Sequence, residues 1–372
     1  MSNQTGHSNP QRRGNNTQRS SSSRPQGSGQ RRPSGKRKKK RVLNYGRILV
    51  WSLPIVFILL VGIIVWRIQV WNKGVAYEMT AEDFNNIKLD TKDNIILMPP
   101  SKISEENYDG ITNVLVLGND SYYAGNSDNE SIVDLFKKEM PEYVSIEDCT
   151  LPGSYLCSYH TNALPPSECP EDYFTLFWIS FSLWQGDFSK QREALQYLDS
   201  SKYDVARYEE IVSKLESINM GTLDVVMYCY DGHDYLLGNV PISYNKGTEE
   251  PLTEDPETLL GATYTSVYLF NDKNPNTQYV FVSPSFCYAT DENGDRVSCA
   301  IKDTGNGTIE DTFNAARRLP DYFGVSYIDM YSGVLINEEN AKTFLEDDGI
   351  TPNKKGRDLI ADRLVTLLKL RL

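Results

Sequence analysis

Five short apolar runs recur along the carboxyl-terminal two-thirds of the chain, at Ile111 to Leu117, Tyr143 to Cys149, Leu223 to Cys229, Tyr279 to Val282 and Val325 to Ile328. Each has the length of a buried strand. Between them the period changes: Val205, Tyr208, Val212, Leu215 and Ile218 are spaced 3, 4, 3 and 3 apart, an apolar stripe on one helical face, and Ile360, Leu364, Leu367 and Leu368 continue the pattern in a last helix. Strands that alternate with helices predict an α/β domain. Its parallel sheet is covered on both faces, and its ligand site lies in the loops beyond the carboxyl ends of the strands. The aromatic run at residues 173–184 reads as a helix packed in the core, with a lipid-facing or sugar-stacking patch as the alternative.

One apolar run is of another kind. Residues 48–66 (ILVWSLPIVFILLVGIIVW) give 19 positions without a formal charge, enough to span a bilayer core as a helix. Residues 1–47 hold 13 Lys+Arg and no acid, in a Ser-, Gly-, Asn- and Gln-rich setting that cannot bury enough apolar surface to fold. The basic run GKRKKKR before the span orients it with the amino terminus inside. The expectation is an uncleaved signal anchor in the cell membrane, a stalk over residues 67–108 and an extracellular domain over residues 109–372.

Charge divides along the same line. Residues 68–372 carry 24 Lys+Arg against all 50 Asp+Glu of the chain, a net of −26 hidden beneath the overall −12. The tail therefore suits anionic lipid, whereas the acidic outer part excludes nucleic acid as a partner. All six cysteines lie in that outer part, where disulfides persist. Cys287 and Cys299 flank two strand-like runs around Asn293-Gly294, a hairpin signal, and are expected to be bonded to each other. Cys157 and Cys169 bracket a Pro-containing loop and offer a second pair; Cys149 and Cys229 end apolar runs as buried thiols or bonded ones. No Cys-x-x-Cys occurs and only His160 and His233 accompany the cysteines, so neither a metal site nor a cofactor is expected.

The loops after the strands carry the chemistry-bearing residues. Gly118-Asn119-Asp120-Ser121 follows the first strand, Leu151-Pro152-Gly153-Ser154 the second and Asp231-Gly232-His233-Asp234 the third, and Asp348-Gly349-Ile350-Thr351-Pro352-Asn353 with Gly356 stands near the end. In this order the four segments resemble the SGNH/GDSL hydrolase family over residues 109–372. The resemblance implies a flavodoxin-like three-layer sandwich that cleaves or transfers acyl groups on lipids and glycans. It also implies a nucleophile at Ser121 or Asp120, an oxyanion donor at Gly153 with a further contribution from the Asp234 segment, and a base with its orienting acid at Thr351 and Asp348.

The departures from the family pattern fall on the chemistry. A serine hydroxyl needs a base to take its proton and donors aimed at the oxyanion that forms. Thr351 stands where the family has its histidine, and His233 stands where the family has a donor asparagine. The ungapped register of Gly118-Asn119-Asp120 on Gly-Asp-Ser puts Asp120 in the nucleophile's place, and only a one-residue insertion restores Ser121. Ser121 is either a nucleophile or a helix-cap residue. His233 is an oxyanion donor, a replacement base or a loop stabiliser, and Asp348 with Thr351 either serve catalysis or cap the last helix. A nucleotide-binding domain is a poor reading, because Gly118 stands alone after the first strand. Two functions follow from the resemblance: a cell-surface protein acting on acyl esters, O-acylated envelope glycans among them, with a modified site; or a catalytically silent domain that binds glycan or an envelope partner in the same cleft.

Overall fold

The computed structural model describes residues 61–62, 92–105, 108–160, 162, 164–244, 254–332 and 336–372. The chain divides into two units, Met1–Thr80 and Ala81–Leu372. Of the first, only Val61 and Gly62 are described, and both are helical. The basic tail and the rest of the 48–66 span lie outside the described residues, among which no helix is long and apolar enough to cross a membrane.

The second unit is built on strands β1 (Thr112–Gly118), β2 (Val144–Thr150), β3 (Val225–Cys229), β4 (Gln278–Val282) and β7 (Ser326–Ile328), parallel throughout in the order β2-β1-β3-β4-β7. That is the flavodoxin-like order, with the chain crossing from one side of β1 to the other between β2 and β3. The principal helices are α1 (Asp120–Tyr123), α2 (Ile132–Glu139), α3 (Leu176–Gln185), α4 (Val205–Ser217), α5 (His233–Leu236), α6 (Leu259–Lys273), α7 (Ile309–Ala316) and α8 (Lys354–Leu368).

Side chains alternate along each strand, and the alternation makes two cores. Leu115, Leu117, Val226, Tyr228 and Phe281 face one way, onto Leu176 and Ile179 of α3, Ile211 and Leu215 of α4 and Phe270 of α6. Val114, Val116, Met227, Val280 and Ile328 face the other, onto Phe136 of α2, Phe313 of α7 and Ile360 and Leu364 of α8. The segment at 173–184 buries Tyr173, Phe174, Leu176, Ile179 and Leu183 in the first core, while Phe177, Trp178, Phe181 and Trp184 are partly exposed beside it. The flavodoxin-like architecture expected from the sequence is the one observed.

Two expectations need correction. Residues 92–98, expected as stalk, are bound to the domain: Asn94 pairs with Tyr327, Leu97 is buried, and Asp93 meets Arg363 at 2.8 Å. Cys287 and Cys299 do close the predicted hairpin of β5 (Tyr288–Thr290) and β6 (Arg296–Ser298), but both are free thiols, like the other four cysteines. The hairpin register sets them opposite each other, and the Cys287 N–H donates to Cys299 Sγ at 3.4 Å. The contact expected of a bond is a hydrogen-bonded thiol pair.

Gly118 shows why β1 ends as it does. A Cβ there would lie 2.3 Å from the Cys229 carbonyl oxygen of β3, backbone that cannot swing aside. Gly118→Ala is expected to destabilise the fold by about 3 kcal/mol, the upper range for forcing atoms into a packed core. Equilibrium denaturation by urea measures it, and an unchanged midpoint would mean that the two strand ends can part.

Candidate active site at the switch point

The carboxyl ends of β1 and β3 converge where the sheet order reverses, and Gly118 lets them approach. There the chain must satisfy the polar groups of three loops at once. Asn119, fully buried, spans them: its Nδ2 donates to the Ser154 carbonyl at 3.1 Å and to Asp231 Oδ1 at 2.9 Å, while its Oδ1 accepts the Asp231 N–H at 2.9 Å. Asp231, also buried, is the hub. Oδ2 accepts the Ser121 hydroxyl at 2.8 Å and the Ser121 N–H at 3.1 Å, and Oδ1 faces His233 Nδ1 at 2.6 Å and accepts the His233 N–H at 3.1 Å.

Ser121 is only 4% exposed, and its proton is committed to Asp231. Asp120, one residue earlier at the start of α1, occupies the outer position instead. Its Oδ2 accepts the Gly153 N–H at 2.8 Å. The donor assigned to an oxyanion therefore already holds a carboxylate of the chain. Gly153 is fixed in the left-handed region at φ +83°, where a Cβ would lie 2.9 Å from the Tyr203 ring, so the loop that aims this N–H leaves no room for a side chain.

Charge follows the geometry. Burial works against the Asp231 carboxylate, but the His233 charge and the hydrogen bonds from His233 and Ser121 outweigh it and hold the group below its usual range. Burial also works against the His233 imidazolium, and here Asp231, with Asp120 and Asp234 behind it, lifts the ring to about 9. At neutral pH His233 is a cation and so has no proton-accepting lone pair. Asp120 is raised, by burial first and by the Asp231 charge second, against the pull of His233. Asp120, Asp231 and His233 each bring a potential ligand atom within 4.8 Å of the others. That group does not fit a metal, because Asp231 and the inner ring nitrogen are occupied by one another and by Ser121 and Asn119.

The remaining expected residues are placed elsewhere. Asp234 is buried and accepts from the N–H groups of Leu156 and Cys157 and from Asn239, which makes it the clamp of the β2 loop rather than a substrate contact. Asp348 closes its own turn, accepting from Ile350 N, Thr351 N and Thr351 Oγ1. Among the described residues no hydrogen bond runs from that turn to Asp120, Ser121 or His233. The helix cap suspected of Asp348 and Thr351 belongs to Asn353, which accepts from the N–H groups of Lys355 and Gly356. Sequence reasoning missed the hub: Asp231 and Asn119 stood only as members of their loop segments, with no role given to either. It also missed Tyr155, whose ring stands edge-on to His233 at 6.4 Å. The groove lined by Pro100, Tyr108, Asn113 and Asp224 lies at the opposite, amino ends of β1 and β3 and has no part in this constellation.

The fold and the site together define a flavodoxin-like α/β domain with a hydrogen-bonded Asn119, Ser121, Asp231 and His233 cluster at its switch point. No protein-family model matches the chain, and no curated protein does. Solved structures similar to it include a possible lipase from Chitinophaga pinensis (14% identity, covering 69% of this chain and 99% of that one, TM-score 0.41). A putative GDSL-like lipase from Bacteroides ovatus is 11% identical over 70% of this chain and 98% of its own, with a TM-score of 0.37. The periplasmic domain of a lipopolysaccharide acetyltransferase from Salmonella ser. Paratyphi A is 14% identical over 70% and 85%, with a TM-score of 0.32. The second of these is by name of the GDSL-like kind that the sequence motifs resemble. At TM-scores below 0.5 the fold assignment rests on the strand order and the site, not on these likenesses.

Two measurements follow. Ser121→Ala removes a donor from a buried carboxylate and is expected to cost about 1–3 kcal/mol of stability. The raised pKa of His233 means that its contribution to stability is complete below its ordinary 6.5 and is lost as pH rises through about 9. Denaturation midpoints from pH 6.5 to 9.5 should fall in the wild type more than in His233→Gln, and parallel curves would remove the ion pair from the account.

Proposed function

We propose that the chain is a membrane-anchored cell-surface protein whose SGNH-like domain binds an envelope glycan at the Asp120 cleft, and that it does not hydrolyse acyl esters through Ser121. The observation that carries this reading is the hydrogen bond from the Gly153 N–H to Asp120 Oδ2 at 2.8 Å. A carboxylate in the oxyanion position repels the negative charge that acyl transfer would develop there. With Ser121 buried and its proton held by Asp231, the seryl route lacks an exposed nucleophile, a free base and a free donor. What the cleft offers is the Asp120 carboxylate as acceptor beside one imidazolium and the Tyr155 ring, which suits sugar hydroxyls and amino groups.

One observation favours a second reading. Asp120 lies beside a His233 oriented by Asp231, so an acyl ester could be attacked by the Asp120 carboxylate with His233 as proton donor to the leaving alkoxide. The two readings separate in the full-length chain. Simple acyl esters are expected to be cleaved at background rate, and a serine-directed phosphonate is expected to leave Ser121 unlabelled. Stoichiometric labelling at Ser121 would overturn the binding proposal, and cleavage abolished by Asp120→Asn but kept by Ser121→Ala would establish the second reading in its place.

The anchor rests on the 13 uncompensated positive charges preceding 19 uncharged apolar residues. Protease added to intact cells is expected to digest the acidic domain and spare the tail. A domain protected until the cells are broken would reverse the topology.

A further inference from the structure

A second constellation lies in the loop after β2, apart from the Asp120 cleft. His160, Cys169 and Asp172 each bring a ligand-type atom within 4.8 Å of the others. His160 Nδ1 is buried and makes no hydrogen bond, although it faces Asp172 Oδ2 at 3.7 Å. Two oxygen or nitrogen ligands of one tetrahedral zinc ion stand about 3.4 Å apart, and a nitrogen and a thiolate about 3.6 Å. The His160–Asp172 gap is therefore already close to that of two ligands on one ion, and Cys169 needs to approach by about 1 Å at most. Asp172 is 2% exposed and its other oxygen accepts the Tyr159 N–H at 2.9 Å, so the ligand oxygen is held in place from behind.

We propose that His160, Cys169 and Asp172 bind a zinc ion. The set combines imidazole, thiolate and carboxylate, a mixture that suits zinc over the oxygen-seeking cations. Three protein ligands leave the fourth position of a tetrahedral zinc ion to a water molecule. Binding converts the Cys169 thiol to thiolate and releases one proton to solvent, so affinity rises with pH. Burial pushes up both the Cys169 thiol and the Asp172 carboxyl, and a dication beside them would reverse both shifts. The site would also steady the cleft, because Tyr159, the residue before His160, packs edge-on to Tyr155 at 5.5 Å, and Tyr155 stands against His233.

The full-length chain, stripped of metal and kept reduced with a phosphine, is titrated with Zn²⁺ against a chromophoric chelator and separately with Co²⁺. The wild type is expected to bind one equivalent, and its cobalt form to show a thiolate-to-metal charge-transfer band. Cys169→Ser should abolish the band. His160→Ala, at a half-exposed position that leaves the fold intact, should weaken zinc by more than the roughly 10- to 100-fold that an outer-shell partner costs. Substoichiometric binding by the wild type overturns the proposal, as does a band that survives Cys169→Ser or an affinity unchanged in His160→Ala. The same readouts are unaffected by the fate of the Asp120 cleft, so failure of either proposal leaves the other standing.

Discussion

A buried carboxylate with five hydrogen bonds holds the functional end of this domain together. Asp231 sits just past β3 in a place where an unpaired charge would be strongly unfavourable, and it is sustained by donors from two segments: Asn119 and Ser121 after β1, and His233 in its own loop. Removing a partner leaves the charge uncompensated, so the residues around it cannot vary one at a time. Their identities follow from Asp231. Ser121 is small enough to be covered and still donate twice, and Asn119 can donate in two directions while accepting the Asp231 N–H.

The same network decides what the site can do. A serine activated for attack gives its proton to a neutral base; this one gives it to an anion already satisfied by an imidazolium. His233 is lifted to about 9 because of Asp231, which makes it a donor and a positive charge rather than a base at neutral pH. Asp120, displaced outward by Ser121 turning in, then finds the Gly153 N–H. The covered serine and the positively charged histidine thus both follow from the aspartate at position 231, whereas the change at Thr351 is independent of it.

Much of the sheet was legible in the sequence because its strands are buried on both faces. Continuous apolar runs predicted β1 to within a residue and found β3, β4 and β7. The amphipathic spacing from Val205 found α4, whose buried face is Tyr208, Ile211, Val212 and Leu215. The site was less legible because its meaning lies in pairings across more than a hundred residues. Nothing in Asn119-Asp120-Ser121 says which side chain turns inward; that is settled by the carboxylate 110 residues later that accepts from Ser121. The resemblance at Asp348 and Thr351 supplied a motif whose local turn survives, with the Asp348 carboxylate still closing it, while its hydrogen bonds no longer reach the cleft. Turn geometry is local and persists after the long-range contact has gone.

The cysteines separate pattern from chemistry in the same way. The Asn293-Gly294 signal marked the hairpin whose register sets Cys287 opposite Cys299, although the Asp291 N–H donates to the Asp295 carbonyl and closes a three-residue loop, 292–294, rather than a two-residue turn. Register brings sulfurs together but does not oxidise them, and the two remain a thiol pair beneath the site, with Cys287 Sγ where a Cβ on Gly232 would come within 2.9 Å of it. Gly232 is therefore held small by a side chain from another element, and that constraint bears on the residues either side of it. Asp231 and His233 flank this glycine, and their carboxylate and ring close on each other across it at 2.6 Å. A bulkier residue at 232 would meet Cys287 before that contact could form, so the Asp231–His233 pair depends in turn on the hairpin packed below it.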